Sequence, residues 1–175
     1  ADAVGAVTAS RRNPPTVTFV SDYHDHPAYL RALTEHVRAS WAGHGRPDHT
    51  VLSFHGIPQS YADNGDTYRS RCEHTATLLA DALDLGEEWT LSFQSRFGPA
   101  QWLPPYTVDV LADLASRDLG RVDVVCPGFA VDCLETVDEI GREAARHYHE
   151  HGGGDFRYVP ALNASPAHGL ALAEV

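Results

Sequence analysis

The chain has 175 residues, a formal net charge of −11 at pH 7 and a sequence pI of about 5.3. This length fits one domain that buries most of the apolar surface of its unfolded chain, so folding needs no metal or disulfide staple. The acidic balance argues against nucleic acid or an anionic membrane surface as the main partner. No apolar run is long enough to span a bilayer, and the first residues lack the features of a signal peptide, which together predict a soluble, cytoplasmic protein.

The first residues are predicted to be the end of an upstream element followed by a linker. Residues 1–10 favour a helix, which Pro14 and Pro15 interrupt because proline cannot continue it. The predicted division is therefore a linker over residues 1–15 and one α/β domain over residues 16–175. The chain lacks methionine, which predicts that its natural start was removed or that it is part of a longer protein.

Strand-like and helix-like segments alternate about four times along the rest of the chain. This alternation is typical of an α/β three-layer sandwich with a mainly parallel sheet of four strands and helices on both faces. The β-rich runs predicted to be strands cover residues 16–20, 50–54, 89–93, 121–126 and 156–159. The predicted helices cover residues 27–41, 68–85, 107–118, 132–151 and 166–174, and residues 56–68 are predicted to be a long polar loop.

Two histidines and two aspartates lie just before the first of these helices. His24 and His26 with Asp22 and Asp25 resemble a metal-binding patch, but alternating positions of an extended segment point to opposite sides. A polar loop and helix cap is therefore the favoured interpretation, with Pro27 in the first helical turn.

The stretch over residues 126–139 is the one around which the chain is organised. A buried valine strand ends before Pro127, and Asp132 is predicted to open an amphipathic helix in which Glu135 and Glu139 share one face. This helix brings acidic groups to the carboxyl edge of the sheet, where open α/β folds bind ligands. Alternatively, Asp132 and Glu135 form a capping box, whose carboxylates only satisfy helix N–H groups. The spacing leaves both interpretations open.

A histidine ends the second strand, which is an apolar run. His55 is released into a loop by Gly56, and in a parallel sheet it can face Glu135 across a cleft. A histidine opposed to a carboxylate can accept protons or hold a divalent metal. Taken alone, a strand-end histidine bonded to backbone is the simpler interpretation.

Three aromatic residues lie in loops rich in proline and glycine. Trp102, Tyr106 and Phe129 follow strands instead of belonging to periodic segments, where core aromatic residues usually occur. They are predicted to line a site in which a flat ligand can stack.

Four blocks of the sequence resemble the ferrochelatase family, in the order in which that family has them. The resemblance covers nearly the whole chain, and it is to the carboxyl-terminal one of two similar α/β halves in proteobacterial-type sequences. It implies a chelatase-like fold, similar to a flavodoxin-like or Rossmann-like half, and a porphyrin pocket whose other wall is missing. The blocks are SFHGIPQSYADNGDTYRSRC (53–72), FQSRFGPAQWLPPYT (93–107), CPGFAVDCLETVDEI (126–140) and VPALNASPAH (159–168).

The resemblance implies roles for the candidate acidic and histidine residues. His55 and Glu135 match the catalytic pair to which iron binding and pyrrole deprotonation are assigned, and both are expected metal ligands. Asp132 and Glu139 match neighbouring acidic positions on a proton or metal path. Cys133 stands where animal relatives have a histidine.

The resemblance also implies the ligands and their binding residues. Trp102 and Phe129 match residues that line the macrocycle site, and Tyr106 joins them as a predicted substrate-binding residue. No tightly bound cofactor and no iron–sulfur cluster is expected, because the cluster of the animal enzymes uses cysteines in a carboxyl-terminal extension. The three cysteines of this chain lie in other contexts and form no CxxC pair.

The implied function is a lyase reaction of heme biosynthesis, the insertion of ferrous iron into protoporphyrin IX to form protoheme. The expected partners are porphyrin, ferrous iron, and either the missing amino-terminal half or a second copy of the chain, as in small chelatases of the sirohydrochlorin type. Nucleic acid is not expected, and peripheral membrane association of the parent protein is left open. The alternatives are coproporphyrin III as substrate, an isolated half that binds porphyrin or metal without turnover, and a structural domain without a ligand.

Overall fold

Four strands form one sheet in the computed structural model, which describes residues 2–175. The strands are β1 (His49–His55), β2 (Trp89–Gln94), β3 (Arg121–Val125) and β4 (Asp155–Val159). They lie in the order β2-β1-β3-β4, and each neighbouring pair is parallel. The predicted α/β fold with a parallel four-stranded sheet is therefore confirmed.

The helices between the strands follow the predicted order. Three of them end earlier than predicted, at Ala82, Ala115 and Glu150, where the chain leaves the helix in short turns before the next strand. The α-helices are α1 (Asp2–Ala9), α2 (Pro27–His44), α3 (Gln59–Asp63), α4 (Tyr68–Ala82), α5 (Thr107–Ala115), α6 (Ala145–Glu150) and α7 (Pro166–Glu174), and a π-helix covers Leu134–Ala144.

The sheet has a hydrophobic core on each face. Successive side chains of a strand point to opposite faces, so Leu52 and Phe54 of β1 pack with buried residues of α2, α4 and α7. Val51 of the same strand packs with buried residues of α5, the π-helix and α6. Every residue of β1 except His55 is buried. The three layers hold this strand rigidly and present its last residue at the edge of the sheet.

The prediction of a strand at residues 16–20 is wrong. This segment has no regular secondary structure, and Val17, Phe19 and Val20 are exposed, Phe19 to 59%. A β-branched and aromatic composition favours a strand only where a neighbouring strand supplies hydrogen bonds and a face to pack against. Residues 16–20 pair with none of the four strands.

The helix predicted from Asp132 begins later and is not a regular α-helix at its start. It begins at Leu134 as a π-helix and continues as α6 only from Ala145. Its first turn is capped by Thr136, whose Oγ1 accepts a hydrogen bond of 2.9 Å from the Cys133 backbone N–H. The capping box of Asp132 and Glu135, one of the two interpretations that the spacing left open, is not formed; the observed capping box pairs Cys133 with Thr136.

Two further features concern the ends and loops of the domain. The loop predicted over residues 56–68 contains the short helix α3, which follows Pro58. Helix α1 buries none of its residues, and residues 11–20 are exposed. Ala1 lies outside the described residues, and the predicted division at residue 15 stays a prediction.

Over residues 2–175, no helix combines the length and the apolar character needed to cross a membrane.

Candidate functional site

The carboxyl ends of the central strands bring the predicted histidine and the π-helix to one edge of the sheet. His55 is the last residue of β1 and lies beside Gln94, the last residue of β2. On the other side of β1, strand β3 runs into Cys126 and the turn that leads to the π-helix. His55 and Glu135 therefore share this edge.

His55 is fixed by its own backbone neighbour. Its Nδ1 lies 2.6 Å from the carbonyl oxygen of Gly56. A carbonyl oxygen only accepts hydrogen bonds, so Nδ1 carries the proton and Nε2 of the neutral ring keeps its lone pair. The half-buried imidazole can then accept a proton or bind a metal through Nε2.

Two of the predicted aromatic residues flank this imidazole. The ring centroids of Trp102 and Phe129 lie 6.4 and 6.3 Å from that of His55. Trp102 is held by a hydrogen bond of 2.8 Å from its Nε1 to the carbonyl oxygen of Phe97. His55 thus lies between two aromatic side chains at the opening of the sheet edge.

Gly56, directly after His55, lies too close to its neighbours to carry a side chain. A Cβ atom on Gly56 would lie 2.8 Å from the Gln94 carbonyl oxygen and 3.1 Å from Cε3 of Trp102. Neither neighbour is the free end of a flexible side chain. Only glycine therefore lets β1 turn away directly after His55.

Glu135, in the first turn of the π-helix, is held in its ionised form. A hydrogen bond from the Cys133 side chain and one from its own backbone N–H lower the pKa of Glu135, and His55 lowers it further when its ring is protonated. Burial and the interaction with Glu135 raise the pKa of the Cys133 thiol, so the thiol stays protonated and donates. His55 and Glu135 therefore lie within electrostatic reach of one another, and Glu135 is an anion at neutral pH.

Gln94 contacts the candidate site but was not indicated by the sequence. Its buried side chain donates from Nε2 to the Glu135 carbonyl oxygen at 2.6 Å. Its Oε1 accepts hydrogen bonds from Ser53 Oγ at 2.8 Å and from Cys126 Sγ at 3.4 Å. Gln94 is the second residue of the family-like block over residues 93–107, and its polar side chain at a strand end is the signal that could have pointed to it.

Glu139 is engaged by the residue after β2. Its two carboxylate oxygens accept hydrogen bonds of 2.6 Å each from the backbone N–H and the hydroxyl of Ser95. Ser95 has a φ of 62°, a left-handed conformation that the two hydrogen bonds help to hold. Glu139 therefore ties the start of the following loop to the π-helix.

Tyr106 lies apart from His55, in a separate groove of about 330 Å³. The Arg96 guanidinium lies 4.5 Å from the centre of its ring, and its hydroxyl donates to the Trp102 carbonyl oxygen at 3.2 Å. Glu139 and Glu143 line the same groove. The three predicted aromatic residues are thus divided between two places, and the binding role of Tyr106 stays a prediction.

Asp132 joins the start of the π-helix to the segment after β4. Its carboxylate accepts hydrogen bonds from Tyr158 Oη at 2.5 Å, Asn163 Nδ2 at 2.7 Å, and Thr136 Oγ1 and the Ala161 N–H at 3.1 Å each. Partial burial opposes ionisation, but these hydrogen bonds outweigh it and lower the pKa of Asp132. Asp132 thus has a structural role, and its role on a proton or metal path stays a prediction.

The resulting site offers one nitrogen ligand and one anionic oxygen ligand beside two aromatic walls. His55 lies beside Trp102 and Phe129 and within electrostatic reach of Glu135, whereas Tyr106 lies in the neighbouring groove. An imidazole nitrogen and a carboxylate suit a divalent transition metal, and both groups can also exchange protons.

Comparison with known proteins identifies the family. A ferrochelatase family model matches residues 1–175. The chain is 49% identical over 168 residues to a ferrochelatase of Methylococcus capsulatus. The matched region covers 95% of the chain and 52% of that relative. It is 48% identical over 166 residues to a ferrochelatase of Nitrosomonas europaea, and this match covers 94% of the chain and 46% of that relative. It is 49% identical over 175 residues to a ferrochelatase of a Janthinobacterium species, and this match covers 99% of the chain and 48% of that relative.

The chain spans about half the length of the curated relatives that it matches. The family model nevertheless matches it from end to end. The resemblance that the four sequence blocks indicate is confirmed, and the chain belongs to the ferrochelatase family.

Proposed function

We propose that the chain is the carboxyl-terminal half of a ferrochelatase that inserts Fe²⁺ into protoporphyrin IX to form protoheme. The observation that carries this proposal is the meeting of His55 and Glu135 at one sheet edge, with Trp102 and Phe129 beside His55. His55 and Glu135 are the proposed catalytic residues and iron ligands. Membership of the ferrochelatase family supports the same reaction.

The reaction requires a group that accepts protons and groups that hold the metal. Two pyrrole N–H protons leave the macrocycle as iron exchanges its water ligands for the ring nitrogens. Nε2 of His55 has a free lone pair because Nδ1 donates to Gly56. The ionised carboxylate of Glu135 can hold Fe²⁺ or take up a proton beside it.

The surrounding residues keep these two groups in position. Gln94 fixes the backbone of Glu135, and the nearby Cys133 thiol favours the ionised carboxylate by lowering the pKa of Glu135. Trp102 and Phe129 supply flat apolar surfaces against which a macrocycle can pack. Pre-positioned groups of this kind cost less free energy to organise when the substrate binds.

The missing part of the porphyrin site is proposed to come from an amino-terminal half. Several large apolar side chains on the turn, the π-helix and the adjacent loop are exposed, which suits a surface that another part of the protein covers. The most exposed of them are Phe97 (84%), Leu134 (77%), Val131 (56%) and Val137 (46%).

A second copy of the chain is the alternative source of this cover. Coproporphyrin III as substrate and binding of porphyrin or metal without turnover also stay alternatives, because the chain spans only half of its relatives. A cytoplasmic location, peripheral membrane association of the parent protein, and the expectation of no resident cofactor stay predictions.

Two measurements separate these possibilities. The full-length parent protein is assayed for Fe²⁺ insertion with protoporphyrin IX and with coproporphyrin III in parallel, and the proposal predicts faster turnover of protoporphyrin IX. For the isolated chain, sedimentation shows whether two copies associate. Absorbance with and without porphyrin shows whether the chain binds the macrocycle. A parent protein that metallates neither porphyrin would overturn the proposal.

A further inference from the structure

A cluster of two histidines and an aspartate lies outside the site described above. His24 and Asp25 come from the segment before α2, and His74 comes from α4. Each offers one ligand atom, and the three atoms lie within 4.8 Å of one another. The side chains are accessible, with exposed fractions of 25% for His24, 50% for Asp25 and 51% for His74.

The His24 ring is oriented by a carboxylate on its other side. Its Nδ1 lies 2.5 Å from Oδ1 of Asp22, whose second oxygen lies 3.1 Å from an Arg71 guanidinium nitrogen. Asp22 is thus held as an acceptor, so Nδ1 carries the proton and Nε2 keeps a lone pair. Histidines that bind metals commonly donate their other N–H to a carboxylate in this way.

The separation of the two imidazole nitrogens fits a tetrahedral ion. His24 Nε2 and His74 Nδ1 lie 3.4 Å apart, with ring planes inclined at 62°. Two Zn²⁺–nitrogen bonds of about 2.0–2.1 Å at a tetrahedral angle place the nitrogens about 3.3–3.4 Å apart. The carboxylate of Asp25 lies 3.9 Å from His74 Nδ1, and a rotation of this exposed side chain brings it onto the same ion.

We propose that His24, Asp25 and His74 bind a divalent transition metal of the zinc class, with water in the fourth position. His26, which is near in sequence, does not belong to this set, because its ring accepts the Ala28 N–H and caps α2. The ligand set combines a sequence-local pair with a histidine 50 residues away. It is independent of the proposed reaction at His55.

The metal would link the segment before α2 to α4. A hydrogen bond of 2.9 Å from Thr75 Oγ1 to the His24 carbonyl oxygen already joins the same two parts of the chain. An ion that binds only the folded arrangement stabilises it by mass action. Zn²⁺ should therefore raise the thermal unfolding midpoint of the chain.

The test is a calorimetric titration of the chain with Zn²⁺ alone, with Co²⁺ as an optical probe of tetrahedral geometry. The variants His74→Ala and Asp25→Asn are each expected to bind one Zn²⁺ ion fewer than the unmodified chain. His55→Ala removes only Zn²⁺ bound at the proposed iron site, and His151→Ala tests the His147–His151 pair, whose rings lie 4.2 Å apart on one helix end. Both variants are expected to keep the separate equivalent bound by His24, Asp25 and His74.

Two further readouts distinguish a site from a simple contact between the two histidines. Asp22→Asn is expected to weaken Zn²⁺ affinity by about 10–100-fold without changing the stoichiometry. Zn²⁺ is expected to raise the unfolding midpoint of the unmodified chain but not that of His74→Ala, with circular dichroism confirming that the variant folds. Unchanged stoichiometry and affinity in both His74→Ala and Asp25→Asn would overturn the proposal, as would loss of the same equivalent in His151→Ala. Neither result bears on iron insertion by the parent protein.

Discussion

Gln94 donates a hydrogen bond of 2.6 Å to the backbone carbonyl oxygen of Glu135, so the end of β2 positions the first turn of the π-helix. The same side chain accepts from Ser53 and Cys126. The buried side-chain amide of Gln94 thus connects β1, β2 and the turn after β3 to Glu135, the residue proposed to hold iron.

Replacing this amide by an apolar side chain should reduce both stability and function. Gln94→Leu removes the hydrogen bonds to the Glu135 carbonyl oxygen and from the Ser53 hydroxyl, which keeps Thr107 as its second partner. The loss should cost about 1–3 kcal/mol of unfolding free energy. In the parent protein, iron insertion should fall because Glu135 is no longer fixed. Urea unfolding and turnover measure the two effects. Gln101→Leu, at an exposed position, is the control, and equal stability of the two variants would contradict the role of Gln94.

The Cys133 thiol should control the ionisation of Glu135. In Cys133→Ala the hydrogen bond that lowers the Glu135 pKa is lost, so this pKa should rise toward its ordinary value. Cys133→Ser keeps a donor and should keep the lowered pKa. A ¹³C NMR titration of the Glu135 carboxyl group measures this difference. The same Glu135 titration curve in all three proteins would show that the thiol has no such effect.

Asp132 should contribute stability that depends on pH. Its pKa is lower in the folded chain than the usual 3.8, so the contribution is fully present above the unfolded pKa and is lost as pH falls through the folded pKa. Asp132→Asn should cost about 1–3 kcal/mol at pH 7, because its hydrogen bonds are to a charged group. The difference from the unmodified chain should shrink as pH falls below about 4.

Urea unfolding at pH 7 and pH 3 checks this prediction. Asp138→Asn is the matched control, because Asp138 forms one surface ion pair, 3.3 Å from Arg142. Such pairs contribute about 0–1 kcal/mol. A cost for Asp132→Asn no larger than that for Asp138→Asn would contradict the structural role of Asp132.

The turn after His55 should tolerate no added side-chain atom. In Gly56→Ala the new Cβ would overlap the Gln94 carbonyl oxygen and press on Trp102, so the chain should lose stability and the emission of Trp102 should change. Gly169→Ala is the control, since nothing lies within 4 Å of its Cβ position in α7. That change should stabilise the chain by about 0.5–1 kcal/mol. Thermal unfolding and tryptophan fluorescence measure both variants, and similar effects of the two would contradict the close approach.

The sheet could be predicted from the sequence because its strands are short apolar runs separated by amphipathic helices. The run at residues 16–20 has the same composition, but it has no strand beside it to pair with, and composition does not report that. The start of the π-helix was also missed. Apolar residues at a spacing of three to four residues do not distinguish the hydrogen-bond pattern of a π-helix from that of an α-helix.

The candidate site could be predicted in part. His55 and Glu135 follow from strand ends that meet at the same edge of a parallel sheet. The hydrogen bonds of Gln94, and those that Asp132 accepts from β4 and the segment after it, could not be predicted, because each joins groups that lie far apart in the sequence. The partner of His24 was missed for the same reason, since His74 approaches it only when α4 packs beside the preceding segment.

The most direct test of the account is the rate of Fe²⁺ insertion into protoporphyrin IX by the parent protein carrying His55→Ala or Glu135→Gln. Loss of a positioned acid or base typically costs at least about 100-fold in rate, and we expect a loss of that size in each variant. The unfolding midpoint should stay near that of the unmodified protein, and the exposed-site variants His149→Ala and Asp138→Asn should keep normal rates. Normal iron insertion by both His55→Ala and Glu135→Gln would contradict the account.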